Sequence, residues 1–198
     1  MNAMPLPRHP APRMPLPAPR AVNFGIAPMH GKHTQIRCAH APDAEALVLL
    51  LREPWVAMSG RIAADAHDED AMLHDLHRAD TDTLVADGRE GMQGFLQLRW
   101  GGRTPSADWM RGSVELRRLY VRVRHRGAGV AAGLLEHACG IARERAATCM
   151  WLRVGKQAEE AINFYRTHGF RIAGAALSME DGRQYEHWVM HKTLAPRR

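Results

Sequence analysis

Apolar residues recur along the chain in two rhythms, one with a helical period and one that alternates. Ala46, Leu47, Leu50 and Leu51 share one helical face. Pro42-Asp43 and Glu45 precede or open that run, as expected where carboxylates favour a first helical turn. A second helical zone is predicted over 61–79, with Ile62, Ala66, Leu73 and Leu76 near one side. The longest stripe is Val130, Ala131, Leu134, Leu135, Ala138, Ile141 and Ala142, which predicts a long helix. Ala158, Ala161, Ile162 and Tyr165 repeat at i, i+3, i+4 and i+7, predicting another that ends near Gly169. Between these lie short strand-like runs at 34–38, 83–86, 95–98, 151–154, 170–173 and 186–191. Asp87-Gly88 and Asp181-Gly182 mark turns between adjacent runs, and 100–112 reads as a loop around Gly101, Gly102 and Pro105. Strands and helices alternate, so the class is α/β with a mixed sheet.

The strand at 114–123 carries the most specific pattern. Val114 and Leu116 alternate in one phase, whereas Leu119, Val121 and Val123 alternate in the other. One extra residue restores such a flip, so a β-bulge is expected near Arg117-Arg118.

Composition narrows the classes. With 198 residues, 45% hydrophobic and 24% charged, the chain suits one domain plus extras and is no wholly disordered polypeptide. It has no apolar run of about 18 residues, so no membrane-spanning helix and no membrane partner are expected. Three cysteines without CxxC spacing, Cys38, Cys139 and Cys149, fit a reducing, cytoplasmic setting. Cys139 falls in the apolar pattern of its helix and reads as a buried thiol.

The net charge of +6 invites a nucleic-acid reading, but its distribution argues against one. Residues 1–33 hold Arg8, Arg13, Arg20 and Lys32 without an acid, and seven of the twelve prolines lie in 1–20. That segment reads as a Pro/Arg-rich disordered tail ahead of a single domain over 34–198, with Met29 a candidate start. The body is formally neutral and bipolar. Residues 65–90 carry nine acids against Arg78 and Arg89, and 111–126 carry six arginines against Glu115.

Arg126-Gly127-Ala128-Gly129-Val130-Ala131 joins the bulged strand to the long helix. Glycines permit a sharp turn and close approach of a ligand, and the first helical turn presents unpaired N–H groups to an anion. No Gly-Lys-Ser/Thr follows, and the glycine spacing does not make a dinucleotide fingerprint.

Four stretches then occur in order: Glu115 to Val121, Arg126-x-x-Gly129-x-Ala131, Trp151-Leu-x-Val154, and Ala161-x-x-Phe164-Tyr165-x-x-x-Gly169-Phe170. Together they resemble the GNAT family of acyl-CoA N-acyltransferases, strongly over 113–173 and more loosely over about 34–194. The resemblance implies a mostly antiparallel twisted sheet with splayed central parallel strands and flanking helices. It implies acetyl-CoA as co-substrate, lying where the strands at 113–123 and 149–154 part. Backbone groups of Leu119, Tyr120 and Val121 would meet the thioester and pantetheine. Arg126 and the amides of Gly127, Ala128, Gly129, Val130, Ala131 and Ala132 would hold the pyrophosphate. Tyr165 stands at the family's usual acid, and Glu115 where some members have a base. Each has a bland alternative, Tyr165 as a core tyrosine and Glu115 as an ion-pair partner of an arginine such as Arg117. His168 and His187 are further bases, read foremost as surface or packing histidines. One departure is Ala158, where the family often has Asn; Gln157 is a neighbour able to replace its hydrogen bond.

The expected activity is acetyl transfer to a primary amine by direct attack, without a metal. The carboxylates Asp65, Asp68, Glu69, Asp70, Asp75 and Asp80 would form either an acidic wall for a cationic amine or a solvated helix face. Asp70, His74 and His77, with His67 near by, pose a metal site that is not favoured. Trp100 and Trp109 are read as packing at the sheet edge. The alternative function is a non-catalytic acyl-CoA sensor on the same fold, and a nucleic-acid binder comes third. The sequence leaves the oligomeric state open, and a homodimer paired through an edge strand near the C-terminus is one alternative.

Overall fold

The computed structural model describes residues 34–52, 66–101, 112–180 and 182–194. The tail at 1–33, Asp65, the start of the second helical zone, Trp109 and most of the 100–112 loop lie outside the described residues.

The elements run β1 (Gln35–Cys38), α1 (Ala44–Arg52), α2 (Ala66–Leu76), β2 (Thr81–Gly88), β3 (Gly91–Trp100), β4 (Ser113–Val121), α3 (Val130–Glu144), β5 (Cys149–Gly155), α4 (Glu159–Thr167), β6 (Arg171–Glu180) and β7 (Arg183–Thr193). The strands form one seven-stranded sheet in the order β1-β2-β3-β4-β5-β7-β6. Every pairing is antiparallel except that of β4 with β5.

Alternation along the strands divides the core between the two faces of the sheet. Leu96, Leu98, Val114, Leu116, Leu119, Val121, Met150, Leu152 and Val154 are buried in one cluster with Leu134, Leu135 and Ala138 of α3 and Ala161, Ile162 and Tyr165 of α4. On the other face, Leu47, Leu50 and Leu51 of α1 and Met72 of α2 cover Val85, Phe95 and Tyr120. Cys139 is buried in the α3 cluster as a free thiol. Helix α4 ends as its glycine foretells. Gly169 has φ +85°, Phe170 N–H donates to Tyr165 C=O at 3.0 Å, and Gly169 N–H donates to Arg166 C=O at 3.0 Å.

The predicted bulge is present. Leu98 faces Leu116 and Gln97 faces Arg118, which leaves Arg117 as the extra residue. Leu116 and Leu119 consequently reach the same buried cluster although three positions apart.

Two local expectations fail. Asp87-Gly88 is not the hairpin turn, because both residues pair with β3, opposite Met92 and Gly91. A register shift after Ala86 extends β2, and Asp87 is held in place by Arg37 at 2.6 Å. The chain reverses at Arg89-Glu90, and Gly91 takes φ +95°. Val123 does not continue β4. The last bond to β3 is Arg122 N–H to Gln93 C=O at 2.9 Å; a 3-10 turn (Val123–His125) then leaves Val123 60% exposed.

Candidate active site

Strands β4 and β5 pair only at Ser113, Val114 and Glu115, opposite Cys149, Met150 and Trp151. Beyond these residues β4 runs to Val121 and β5 to Gly155 without pairing to each other, so a wedge opens between them. The bulge at Arg117 falls where they part. An extra residue bends and twists its strand more strongly, which turns β4 away from β5. β5 stays straight because β7 pairs with it along its whole length, from Cys149 to Gly155.

Leu119, Tyr120 and Val121 follow the bulge along the open edge of β4. Leu119 and Val121 bury their side chains toward α3, whereas Tyr120 packs on the opposite face beside Phe95, with ring centroids 6.1 Å apart. This anchoring on both faces fixes the backbone, the part of these residues that a ligand in the wedge would meet.

The glycine loop lies at the far end of the wedge. Residues 126–129 are exposed, and Arg126 Nε donates to Val121 C=O at 3.3 Å. Gly127 and Gly129 have φ +75° and +82°. Gly129 is the N-cap of α3 and supplies no side-chain cap. Gly133 N–H makes the first bond back, to Gly129 C=O at 2.9 Å. The amides of Val130, Ala131 and Ala132 therefore form the open first turn of a 15-residue helix, where the dipole favours an anion. A diphosphate diester, with one ionised oxygen on each phosphorus, suits this donor set. At the start of α4, Ala158 is the N-cap without a side-chain cap, and Gln157 beside it is exposed.

Tyr165 sits in the apolar cluster, 5% exposed, between Phe164 and Phe170 at centroid distances of 5.4 and 5.5 Å. Among the described residues its hydroxyl has no hydrogen-bond partner. Burial pushes its pKa well above the ordinary phenol value, so it carries its proton at neutral pH. A buried tyrosine hydroxyl normally finds a partner, so this one is suited to a ligand.

Glu115 is also buried, at 7% exposure, but on the opposite face of the sheet. Its partner is Arg153 of β5, at 3.5 Å, and not Arg117. His168 is turned back on its own helix, with Nδ1 2.7 Å from Phe164 O. His187 Nε2 lies 2.8 Å from Ser178 Oγ on the β6–β7 hairpin.

Of the six carboxylates of the acidic segment, the side chains of Asp65, Asp68 and Glu69 lie outside the described residues. Asp75 is 2% exposed and lies within 2.7 Å of Arg118, 3.0 Å of Arg117 and 3.4 Å of Arg99. Arg118 Nη1 also donates to Gln97 Oε1 at 2.6 Å, and Gln97 Nε2 to Thr83 Oγ1 at 3.1 Å. Asp80 is paired with Arg78 at 2.6 Å, and Asp82 with Arg145 at 3.0 Å. The arginines of 111–126 are likewise divided. Because both bulge residues face α2, Arg117 and Arg118 leave the phosphate loop to Arg122, Arg124 and Arg126. Gln97 and Arg153 escaped sequence reasoning, and Asp75 was read only as one carboxylate of the acidic segment. The charged pair inside strand β4 was the visible signal for a polar cluster. Trp100 does pack at the sheet edge, under Arg145 at 4.6 Å, with Nε1 donating to Asp82 at 2.7 Å. Among the described residues no group of three His, Cys, Asp or Glu is placed to hold a metal ion, and His77 Nδ1 lies 2.8 Å from Leu73 O.

Comparison with known proteins gives the same architecture. A streptothricin acetyltransferase of Streptomyces lavendulae is 33% identical over 108 residues, which is 52% of this chain and 52% of that protein. The chain spans about half the length of the curated relatives it matches. The crystal structure of a ribosomal-protein-alanine N-acetyltransferase from Brucella melitensis superposes with a TM-score of 0.63 at 25% identity, over 81% of this chain and 99% of that one. The Salmonella typhimurium protein yncA, solved with acetyl-CoA, superposes at 0.63 and 21% identity, over 84% and 97%. The sequence model of the acetyltransferase (GNAT) family matches residues 45–170, the stretch that holds the bulged strand, the wedge, the glycine turn and Tyr165. The chain belongs to the acetyltransferase (GNAT) family.

Proposed function

We propose that the protein is an acetyl-CoA-dependent N-acetyltransferase that acts on a primary amine by direct attack. The observation that carries this reading is the wedge between β4 and β5, with an uncapped helix N-terminus at one end and a proton-bearing tyrosine beside it. Backbone groups of Leu119, Tyr120 and Val121 orient the thioester. Arg126, the exposed loop Gly127, Ala128 and Gly129, and the amides of Val130, Ala131 and Ala132 take the pyrophosphate.

An amine of pKa about 10 is almost wholly protonated at pH 7, and supplying the free base costs roughly 4–5 kcal/mol. Glu115 removes that proton, directly or through water. Attack on the thioester carbon makes a tetrahedral oxyanion, for which one fixed N–H on β4 is worth about 3 kcal/mol. Collapse breaks the C–S bond, and Tyr165 gives its proton to the departing sulfur.

A screen of primary amines with acetyl-CoA, read by release of free thiol, tests the reading. Turnover with at least one amine supports it. Tight acetyl-CoA binding with no thiol release from any amine favours the alternative, a non-catalytic acyl-CoA sensor, for which Ala158 in place of Asn speaks.

Three further parts belong to this proposal. The domain spans 34–198 behind a Pro/Arg-rich tail. The free thiols Cys38, Cys139 and Cys149 suit a reducing cytoplasm. No helix among the described residues is long and apolar enough to cross a membrane. The dimer forms along β6, an edge strand whose residues 172–179 carry no charge and which exposes Leu177 and Met179. Light scattering on the purified chain tests that assembly; a monomer at all concentrations contradicts it.

A further inference from the structure

The face of the sheet that carries Glu115 holds an excess of positive charge where the wedge begins. Four guanidinium groups, Arg99 of β3, Arg117 and Arg118 of β4 and Arg153 of β5, meet two carboxylates, Asp75 and Glu115. Asp75 takes three of the four. The guanidinium of Arg118 is well satisfied by Asp75 and Gln97.

Arg117 is not. Its Nε is buried and lies 3.0 Å from Asp75 Oδ2, yet outside hydrogen-bond geometry, so the donor is left without a hydrogen bond. Burial, then the charge of Arg118, lowers its pKa, as happens when a cation leaves water without full compensation. Among the described residues Arg153 is held by the 3.5 Å contact to Glu115, and its side chain is about half exposed. The last paired residues of the wedge are Glu115 and Trp151. Arg117 and Arg153 each stand two positions farther on, one on each lip, on the face of Trp151 and Glu115. On that face β5 and β7 carry a small buried apolar cluster of Trp151 and Val189, with Ala176 packed against it.

We propose, on the transferase reading above, that the acceptor is a small amine that also carries a carboxylate, held between Arg117 and Arg153 with its nitrogen toward Glu115. Planar guanidinium forks suit the two oxygens of a carboxylate. The anion would also offset the excess of positive charge on that face. Asp75, one of the carboxylates that an acidic wall for a cationic amine would have used, is taken by its three arginines.

Matched pairs of ligands test the proposal: an amino acid against its amide, and 4-aminobutyrate against butylamine. Binding is measured by calorimetry on the protein saturated with CoA, and turnover by thiol release with acetyl-CoA. The carboxylate member should bind at least about 10-fold tighter, the scale of one charge-assisted hydrogen bond. Arg117→Ala and Arg153→Ala should each remove most of that preference, read as the ratio of KM between the two members of a pair, so that any shared effect on Glu115 cancels. Arg153 is exposed enough that its variant folds even if loss of Arg117 disturbs Asp75. Equal binding of the two members, or equal loss for both in the Arg153→Ala protein, overturns the proposal. Selective carboxylate binding without thiol release supports the anion site and overturns the transferase reading.

Discussion

Replacing Tyr165 with phenylalanine separates chemistry from packing. The ring stays between Phe164 and Phe170, and one oxygen is lost. That oxygen has no hydrogen-bond partner among the described residues, so its removal should change folding free energy by less than about 0.5 kcal/mol. The effect on rate is bounded by the leaving group. A thiol of pKa near 8.5 departs as a moderately stable thiolate, so an acid assists less than it would for an alkoxide. General acid catalysis ordinarily contributes about 10²- to 10⁴-fold, and the lower end applies here, a loss of about 100-fold in kcat. The assay is thiol release at saturating acetyl-CoA, with melting temperature and acetyl-CoA affinity measured on the same samples. Affinity and melting temperature should match the parent. A kcat within twofold of the parent would remove the acid role, and Tyr165 would be a packing residue whose hydroxyl happens to lack a partner.

Gly129→Glu should abolish acetyl-CoA binding, because it sets a bulky carboxylate at the uncapped turn and forces a side chain to φ +82°, at a cost of about 1–2 kcal/mol; calorimetry reads the first effect and thermal unfolding the second. Gly94→Ala would press a Cβ against Tyr120 O across the β3–β4 pair, so a loss of about 1–3 kcal/mol in urea unfolding is expected, and a value below about 0.5 would show that the strands yield freely. Arg37 holds Asp43 through hydrogen bonds of 2.7 and 2.8 Å and keeps its pKa below the usual carboxylate value. That stabilisation is full above about pH 4, the unfolded pKa, and is lost as pH falls through the lower folded value. Asp43→Asn should therefore cost about 1 kcal/mol at pH 7, discounted for the partly exposed arginine, and the gap in melting temperature should close toward pH 2.

Local signals carried well from sequence to structure. The phase flip between Leu116 and Leu119 located the bulge because a period of two leaves no other way to bury both. Gly129 and Gly169 marked helix ends because their backbone is left-handed there. Partner choice was less legible. Nothing in 149–155 states that β5 leaves β4 after three residues; that follows from the pairing of β5 with β7. Asp87-Gly88 has turn chemistry, but the tie from Asp87 to Arg37 and the register shift beside it outweigh that local preference. Asp75 looked like one more carboxylate on an acidic helix, and only the fold places three arginines around it.

The central claim is that the wedge and the glycine turn bind acetyl-CoA. Calorimetric titration of the full chain with acetyl-CoA measures this directly. A single site per chain with Kd in the micromolar range, abolished by Gly129→Glu, is the predicted result. No heat of binding up to about 100 µM, a level at which most enzymes engage their substrates, would contradict the account.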